Sequence, residues 1–389
     1  MLRNKDKGIT LIALVITIII LLILAGISIS ALTNQGLFKN AKIAQNATEK
    51  AEKEQGQRLN EYEDEINKYL GNSKDESKDD TKGTTVEEAI KKNGALSTTD
   101  NTELKDAKNN KIVVPAGFKI VEGATTVDKG IVIEDVTETA TKGSQFVWVP
   151  VGTITKADGT TTTITLGRYD FNSTTGVESA YTGTYVEEDS NDSSTLKKYG
   201  NTIAKNITNF KNSVAQNGGY YIGRYEARTA TARSAKTDAL TQITEKGTEN
   251  VYNYVTQLQA AQLSQNMYTS NKFTSDLMNS YAWDTATVFI QNCGTNAKYS
   301  RQNSLNTSLL QTGTNSLTDT SKIDVQCNIY DMASNIEEWT TETSYDSDSP
   351  CVYRGGYCIS SNVFTSNRSN SYTSGRGNVG FRPLLYVNV

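Results

Sequence analysis

The residues best equipped for chemistry are four cysteines, Cys293, Cys327, Cys351 and Cys358, which all lie in the last hundred or so residues. The 389-residue chain contains no histidine, which removes the commonest general base and the usual imidazole metal ligand. Serine–histidine and cysteine–histidine catalysis by this chain alone are therefore excluded. The cysteine spacing fits no zinc pattern. The cysteines are then either small buried hydrophobic residues or, outside the cell, a disulfide pair such as Cys351–Cys358.

Oxygen ligands are present, but they are scattered. The aspartates and the asparagine that could bind calcium are Asp331, Asn335, Asp346 and Asp348. Carboxylates spaced in this way are more often simply solvated, so we predict no metal or other cofactor, with calcium as the alternative. The net charge of −4 is mild and no dense basic cluster occurs, so we expect no nucleic-acid partner.

The segment 357–376, called the variable segment below, is dominated by Ser, Asn, Thr and Tyr. This composition suits a contact surface, because Tyr gives rigid contact area while Ser and Asn give adaptable hydrogen bonds, as in antibody loops. The alternative is an ordinary polar surface loop. The predicted ligand-binding residues are Tyr357, Ser360, Ser361, Asn362, Phe364, Ser366, Asn367, Ser369, Asn370, Tyr372 and Ser374.

Three short motifs flank this segment and are called the frame: Asp331–Trp339, Arg354-Gly355-Gly356 and Gly380-Phe381-Arg382. Within the first, Met332, Ile336 and Trp339 fall at three-and-four spacing, which predicts one short buried helical turn. Asn335 and the paired glycines suit tight backbone positions.

Several frame side chains are predicted to be structural. We expect Trp339 and Phe381 in the core. We expect the two frame arginines to pair with Glu337, Glu338 or backbone carbonyls, and Glu226 to be structural for the same reason. Strand-like runs include Phe146–Gly152 and Tyr221–Glu226, and apolar stripes predict two helices within residues 250–292.

The N-terminus differs in kind from the rest. Residues Ile9–Ile29 are free of charge and at helical rise span the roughly 30 Å hydrocarbon core of a bilayer. The basic flank places the N-terminus in the cytoplasm and the remainder outside. The predicted units are a basic leader (1–8), a transmembrane or pilin-like helix (9–29), a helical stalk (30–70), a linker (71–110), a β-rich lead-in (111–145) and a ligand-binding domain (146–389).

The residues Lys7-Gly8-Ile9-Thr10-Leu11-Ile12 resemble a type IV prepilin signal. The resemblance implies cleavage between Gly8 and Ile9 and packing of the apolar helix among other pilins. The family usually has glutamate at the fifth mature position, where this chain has Ala13. A minor, tip-located or simply membrane-anchored protein is therefore expected rather than a major subunit. A cleaved secretory signal is the alternative for the same stretch.

The two strand-like runs together with the frame resemble the formylglycine-generating (sulfatase-modifying factor) family. Ser334 stands where that family has glycine, and its helix-start motif is reduced here to Leu277 and Trp283. The resemblance implies an α+β, C-type lectin-like domain of the formylglycine-generating-enzyme type. With the N-terminus, the predicted fold class is such a domain behind a long pilin-like or transmembrane helix.

The oxidases of that family bind copper through two cysteines five residues apart after the paired glycines. Here Cys358 lies two residues after Gly356, but Val363 occupies the partner position. We therefore predict that the chain is not an enzyme. The alternatives are a copper oxidase of this type and a structural minor pilin.

A non-catalytic branch resembles the chain better, namely the variable proteins of diversity-generating retroelements, in which a C-terminal segment is diversified on a constant scaffold. Residues 357–376 use the amino acids that such diversification favours. The resemblance implies a surface-displayed or pilus-associated adhesin that binds an unknown protein or glycan. The predicted location is the cell membrane with an extracellular C-terminal domain, or a pilus.

Overall fold

The computed structural model describes residues 84–187, 204, 206–303, 324–358 and 362–389. The chain divides into two units, Met1–Asp79 and Asp80–Val389, and every described residue belongs to the second. The predicted leader, apolar helix and stalk, the predicted cleavage site at Gly8 and Ile9, and the predicted binding residues Ser360 and Ser361 lie outside the described residues.

Secondary structure in the described part is mostly β. The strands are β1 Thr102–Lys105, β2 Lys111–Val114, β3 Phe118–Ile120, β4 Val132–Asp135, β5 Gln145–Pro150, β6 Gly152–Thr155, β7 Thr161–Ile164, β8 Tyr169–Phe171, β9 Glu178–Ala180, β10 Gly219–Gly223, β11 Arg228–Thr229, β12 Asn250–Val251, β13 Phe273–Leu277, β14 Val325–Gln326, β15 Ile329–Tyr330, β16 Glu337–Thr343, β17 Cys351–Arg354, β18 Arg368–Ser371, β19 Val379–Phe381 and β20 Pro383–Val387. The α-helices are α1 Val86–Lys92, α2 Ile207–Asn217, α3 Gln257–Gln265 and α4 Ser280–Cys293.

The larger sheet has six antiparallel strands in the order β13-β20-β10-β5-β4-β3. Its centre is fully buried, since Phe146 to Val149 on β5 are inaccessible on both faces. Trp148 packs edge-on against Tyr221 of the next strand, with ring centroids 4.9 Å apart. Pro150 ends β5, the position that the sequence predicted, because proline cannot donate to a sheet ladder.

The smaller sheet carries the frame and part of the variable segment. Its order is β18-β17-β16-β19, with β16 and β19 parallel and the other pairs antiparallel. The frame therefore supplies residues of the inner strands β16 and β17 and of the edge strand β19, and residues of the variable segment form the other edge strand, β18. Five two-stranded hairpins complete the described part: β1–β2, β6–β7, β8–β9, β11–β12 and β14–β15.

Buried charges join the two sheets. Arg382 donates to both oxygens of Glu338, at 3.1 and 2.6 Å, and to the backbone carbonyls of Gly223 and Tyr330. Asn335 donates its amide to the buried Glu226. The predicted pairing of Arg382 and the predicted structural role of Glu226 are confirmed, as are the buried positions of Trp339 and Phe381.

The predicted fold class, an α+β C-type lectin-like domain behind a long N-terminal helix, is wrong for the part of the chain that the structure describes. That part is mostly β, and its four α-helices have only 7, 11, 9 and 14 residues. None of these described helices is both long and apolar enough to cross a bilayer. Frequent Val, Ile, Thr and Tyr in short runs favour pleated, half-buried backbone over helix.

The helical turn predicted for the first frame motif is also wrong. Asp331 and Asn335 have left-handed φ values of +59° and +63°, which interrupt a right-handed helix. Strand β16 begins directly afterwards and places Trp339 in the core. The three-and-four spacing of Met332, Ile336 and Trp339 therefore belongs to a tight loop followed by a strand and not to a helix.

The helices predicted within residues 250–292 are present but shorter. Val251 lies in β12, and Tyr254 has a left-handed φ of +55°. Helix α3 starts only after Thr256, whose side chain accepts a hydrogen bond from the Gln259 amide and so caps the helix. Helix α4 starts at Ser280, where Asn279 provides the equivalent cap.

Removal of the buried Arg382 charge should test how far this ion pair holds the sheets together. We expect Arg382→Gln to lower the free energy of unfolding by about 3–5 kcal/mol, because Glu338 would be left buried without its cation. Lys142→Gln, at an exposed ion pair with Glu138, is the control and should cost less than about 0.5 kcal/mol. Denaturant unfolding of both variants measures the difference, and similar losses would contradict the assignment.

Candidate ligand-binding face

The predicted binding residues that the structure describes form a face at the edge of the smaller sheet. Asn362, Tyr372 and Ser374 are exposed, and Tyr372 retains 59% of its accessible surface. The remaining six are half-buried: Tyr357, Phe364, Ser366, Asn367, Ser369 and Asn370. None of these nine residues is fully buried, so all of them retain some contact with solvent.

The backbone of the variable segment is held by side chains from elsewhere. The Trp283 indole N–H donates to the carbonyl of Thr365 at 3.0 Å, and Arg354 Nε donates to the carbonyl of Asn367 at 2.8 Å. The amide N–H of Ser366 donates to the Ser300 carbonyl. Each of these bonds uses a main-chain group of the segment, so none depends on which side chain the segment carries there.

A buried ion network lies beneath the face. Asp284 on α4 accepts from Arg354 at 2.5 Å and from Arg368 at 2.6 Å. Glu342 on β16 accepts from Arg368 at 2.9 Å and also pairs with Arg168. These four contacts connect α4, the smaller sheet and the loop before β8. Both carboxylates are fully inaccessible to solvent, so they depend on these guanidinium groups for compensation.

The prediction for Arg354 was wrong in part. Its guanidinium pairs with Asp284 rather than with Glu337 or Glu338, although it does also donate to a backbone carbonyl. Sequence reasoning did not single out Asp284 or Glu342. Both are separated from Arg354 along the chain, and no local pattern marks a carboxylate that meets an arginine from another element.

An open cavity of about 370 Å³ lies above this network. Phe364, Ser366 and Asn367 line one side, as the sequence predicted for a binding surface. The rest of the lining comes from residues that the sequence did not indicate: Tyr169, Asp170, Phe171, Tyr181, Tyr185, Arg301 and Arg368. Most of these lie in or near the β8–β9 hairpin. Its unusual density of tyrosine, between Tyr169 and Tyr185, is the signal that could have found it.

Arginine–aromatic stacking organises the cavity walls. Arg301 lies over Phe364, with its guanidinium carbon 3.6 Å from the ring centroid. Arg368 and Arg168 both lie over the ring of Tyr181, at 4.0 and 4.4 Å. Cation–π contacts of this kind hold long side chains in fixed positions and reduce what ordering them on binding would cost.

Comparisons with protein-family models, with curated proteins and with solved structures find no match to this chain. The geometry of the face therefore carries the functional argument together with the motifs of the sequence.

The cysteines and the calcium candidates lie apart from the cavity lining. The structure describes all four cysteines and shows no disulfide between them. Burial raises the pKa of the Cys351 thiol to about 12, so the group stays protonated and neutral at physiological pH. Asp331 and Asn335 are buried, whereas Asp346 and Asp348 are exposed. Among residues 84–187, 206–303, 324–358 and 362–389, no group of three or more Cys, Asp or Glu side chains is placed to hold a metal ion.

One acidic group beside the network should make stability depend on pH. Glu187 accepts hydrogen bonds from the Ser280 amide at 2.7 Å and from the Thr341 hydroxyl at 2.5 Å. Burial, and then the nearby Glu342, raise the pKa of Glu187 from 4.5 to about 7. Because the folded pKa lies above the unfolded one, the stabilisation is complete below about pH 4.5 and is lost as pH rises through 7.

We therefore expect the melting temperature to fall between pH 5 and pH 8, and Glu187→Gln to reduce that fall by roughly 3 °C. Thermal unfolding followed by circular dichroism at both pH values measures it. Glu178→Gln, a change on the outer hairpin, is the control. An unchanged fall in Glu187→Gln would show that this carboxyl is not the titrating group.

Proposed function

We propose that this chain is a surface-displayed or pilus-associated binding protein, and that the variable segment forms its diversified binding face. The observation that carries the proposal is how the segment is held. Other elements bind its backbone, while the predicted binding side chains line a cavity or retain contact with solvent. The buried Thr365 and Ser371 and the ion-paired Arg368 lie in the same segment but belong to the scaffold. A scaffold arranged in this way keeps its shape while the residues that contact a ligand change.

The contacts along the segment explain why substitutions would be tolerated. Trp283, Arg354 and the backbone at residues 300–302 bind peptide groups, which every residue type other than proline provides in full. Loss of a side chain such as Asn362 or Ser374 leaves those bonds intact. The polar-aromatic composition then serves contact rather than stability.

The motif-level resemblance to retroelement variable proteins supports the same reading. The frame motifs, on which that resemblance rests, contribute residues to β16, β17 and β19. The copper-oxidase alternative is less well supported, because Val363, at the position of the second cysteine of that motif, cannot act as a metal ligand. We therefore favour binding without catalysis and without a resident cofactor.

The apolar residues 9–29 support membrane attachment, with the domain outside the cell or on a pilus among other pilins. The ligand is then a molecule that the cell meets outside, either a protein or a glycan. A structural minor pilin is the remaining alternative, and it predicts loss of pili when the gene is deleted.

Adhesion should depend on the exposed side chains of the variable segment. We expect full-length protein coupled to beads to bind at least one type in a panel of bacterial and epithelial cells. The variant Asn362→Ala/Tyr372→Ala/Ser374→Ala should bind that type about tenfold less, because aromatic and polar contacts at an interface centre dominate affinity. Its melting temperature should change by less than about 2 °C, since none of the three side chains is buried.

The matched control is Thr161→Ala/Thr163→Ala/Leu240→Ala, three exposed positions outside the cavity lining. It should retain adhesion. Equal adhesion by both variants would contradict the proposal and favour an ordinary polar loop. The DNA beside the gene gives a second test. A diversified segment requires a reverse-transcriptase gene and a near-copy of the 3′ end that differs at adenines.

A further inference from the structure

Arg301 is positioned by a rigid turn. It ends the 3₁₀ turn Tyr299–Arg301, in which the Tyr299 hydroxyl donates to the buried Asp324 at 2.8 Å. The Ser300 hydroxyl donates to the carbonyl of Gly176 at 3.0 Å. The turn is therefore attached at two points, and the guanidinium of Arg301 lies over the ring of Phe364 in the cavity wall, 3.6 Å from its centroid.

Arg301 is also the cavity cation that has no carboxylate partner among the described residues. The other guanidiniums at or beneath the cavity are those of Arg168, Arg354 and Arg368, and they face the carboxylates of Asp170, Asp284 and Glu342. Arg301 forms no ion pair and no side-chain hydrogen bond with any residue that the structure describes. A half-buried guanidinium with open donors is therefore presented to whatever enters the cavity.

The chemistry of that group selects its ligand. A guanidinium is a planar fork whose N–H donors match a carboxylate in two parallel hydrogen bonds. Stacking on Phe364 fixes the plane in advance, so less conformational entropy is lost on binding.

We propose that Arg301 is a carboxylate-binding residue of the face and that the ligand is an acidic stretch of polypeptide. This inference rests on the proposed binding function. A polypeptide is favoured over a sugar because the face extends from the cavity to the exposed Tyr372 and Ser374. Its arginine and tyrosine content is also typical of the residues that dominate protein–protein affinity. Arg301 lies outside residues 357–376, so the cation would remain constant, whereas Phe364, over which it lies, belongs to the variable segment that supplies selectivity.

The test uses full-length protein with fluorescent hexaglutamate and hexaglutamine peptides at low ionic strength. We expect hexaglutamate to bind, hexaglutamine to bind at least tenfold more weakly, and Arg301→Gln to abolish most of that preference while Phe364 stays in place. Arg301→Lys should recover only part of it, because an ammonium cannot make the two parallel bonds.

Lys108→Gln is the matched control. Lys108 is an exposed cation that lies outside both the cavity lining and residues 357–376. This variant should change hexaglutamate affinity by less than about twofold. An equal loss in Lys108→Gln and Arg301→Gln would overturn the assignment, because general positive charge would then be sufficient.

Two further results would overturn it. The first is no preference for hexaglutamate in the wild-type protein. The second is Arg301-dependent binding of a sulfated heparin hexasaccharide that is tighter than the binding of hexaglutamate. This result would show that the anionic ligand is a glycan rather than a polypeptide. Failure here is distinguishable from failure of the proposed function. Adhesion lost in the Asn362/Tyr372/Ser374 variant, without hexaglutamate binding, leaves the binding face standing and removes only its acidic partner.

Discussion

The candidate ligand-binding face depends on compensation of the charges that are buried beneath it. Asp284 and Glu342 are removed from water, and arginines from other elements compensate the charge of each. Arg354 and Arg368 lie on neighbouring strands of the smaller sheet, and Arg168 precedes the β8–β9 hairpin. One ion network thus fixes the relative positions of a helix, a sheet edge and a hairpin. The cavity is the space that these three elements leave above it.

The local sequence pattern was sufficient to predict those parts of the structure that depend on residues close together in the chain. The β-rich run at 146–149 predicted a strand, and Pro150 its end. The frame carboxylates Glu337 and Glu338 were predicted as partners of Arg382, and Glu338 is the one that it binds. Composition alone distinguished the polar segment 357–376, and the nine described residues predicted there to bind a ligand keep some exposure, whereas Cys358, Thr365 and Ser371 of the same segment are buried.

Other parts could not be predicted, for physical reasons. The turn at Asp331–Asn335 has helix-like spacing, but two left-handed residues exclude a helix, and spacing does not reveal φ. The pairs Arg354–Asp284 and Arg168–Glu342 join residues 70 and 174 positions apart. Nothing in either neighbourhood marks such a partner. The aromatic residues of the β8–β9 hairpin that line the cavity were also not predicted, because this hairpin approaches the variable segment only in the folded chain.

The position of β20 determines what a premature stop or a frameshift within the variable segment would do to the fold. This strand is the last in the chain, yet it lies between β13 and β10 in the larger sheet and follows Arg382 directly. A premature stop or a shifted reading frame within residues 357–376 removes β19, β20 and the cation of Glu338 together. The six-stranded sheet would then lose the strand that joins β13 to the rest. Chains truncated in this segment would thus fail to fold, so folding of the domain depends on correct translation through residues 357–376.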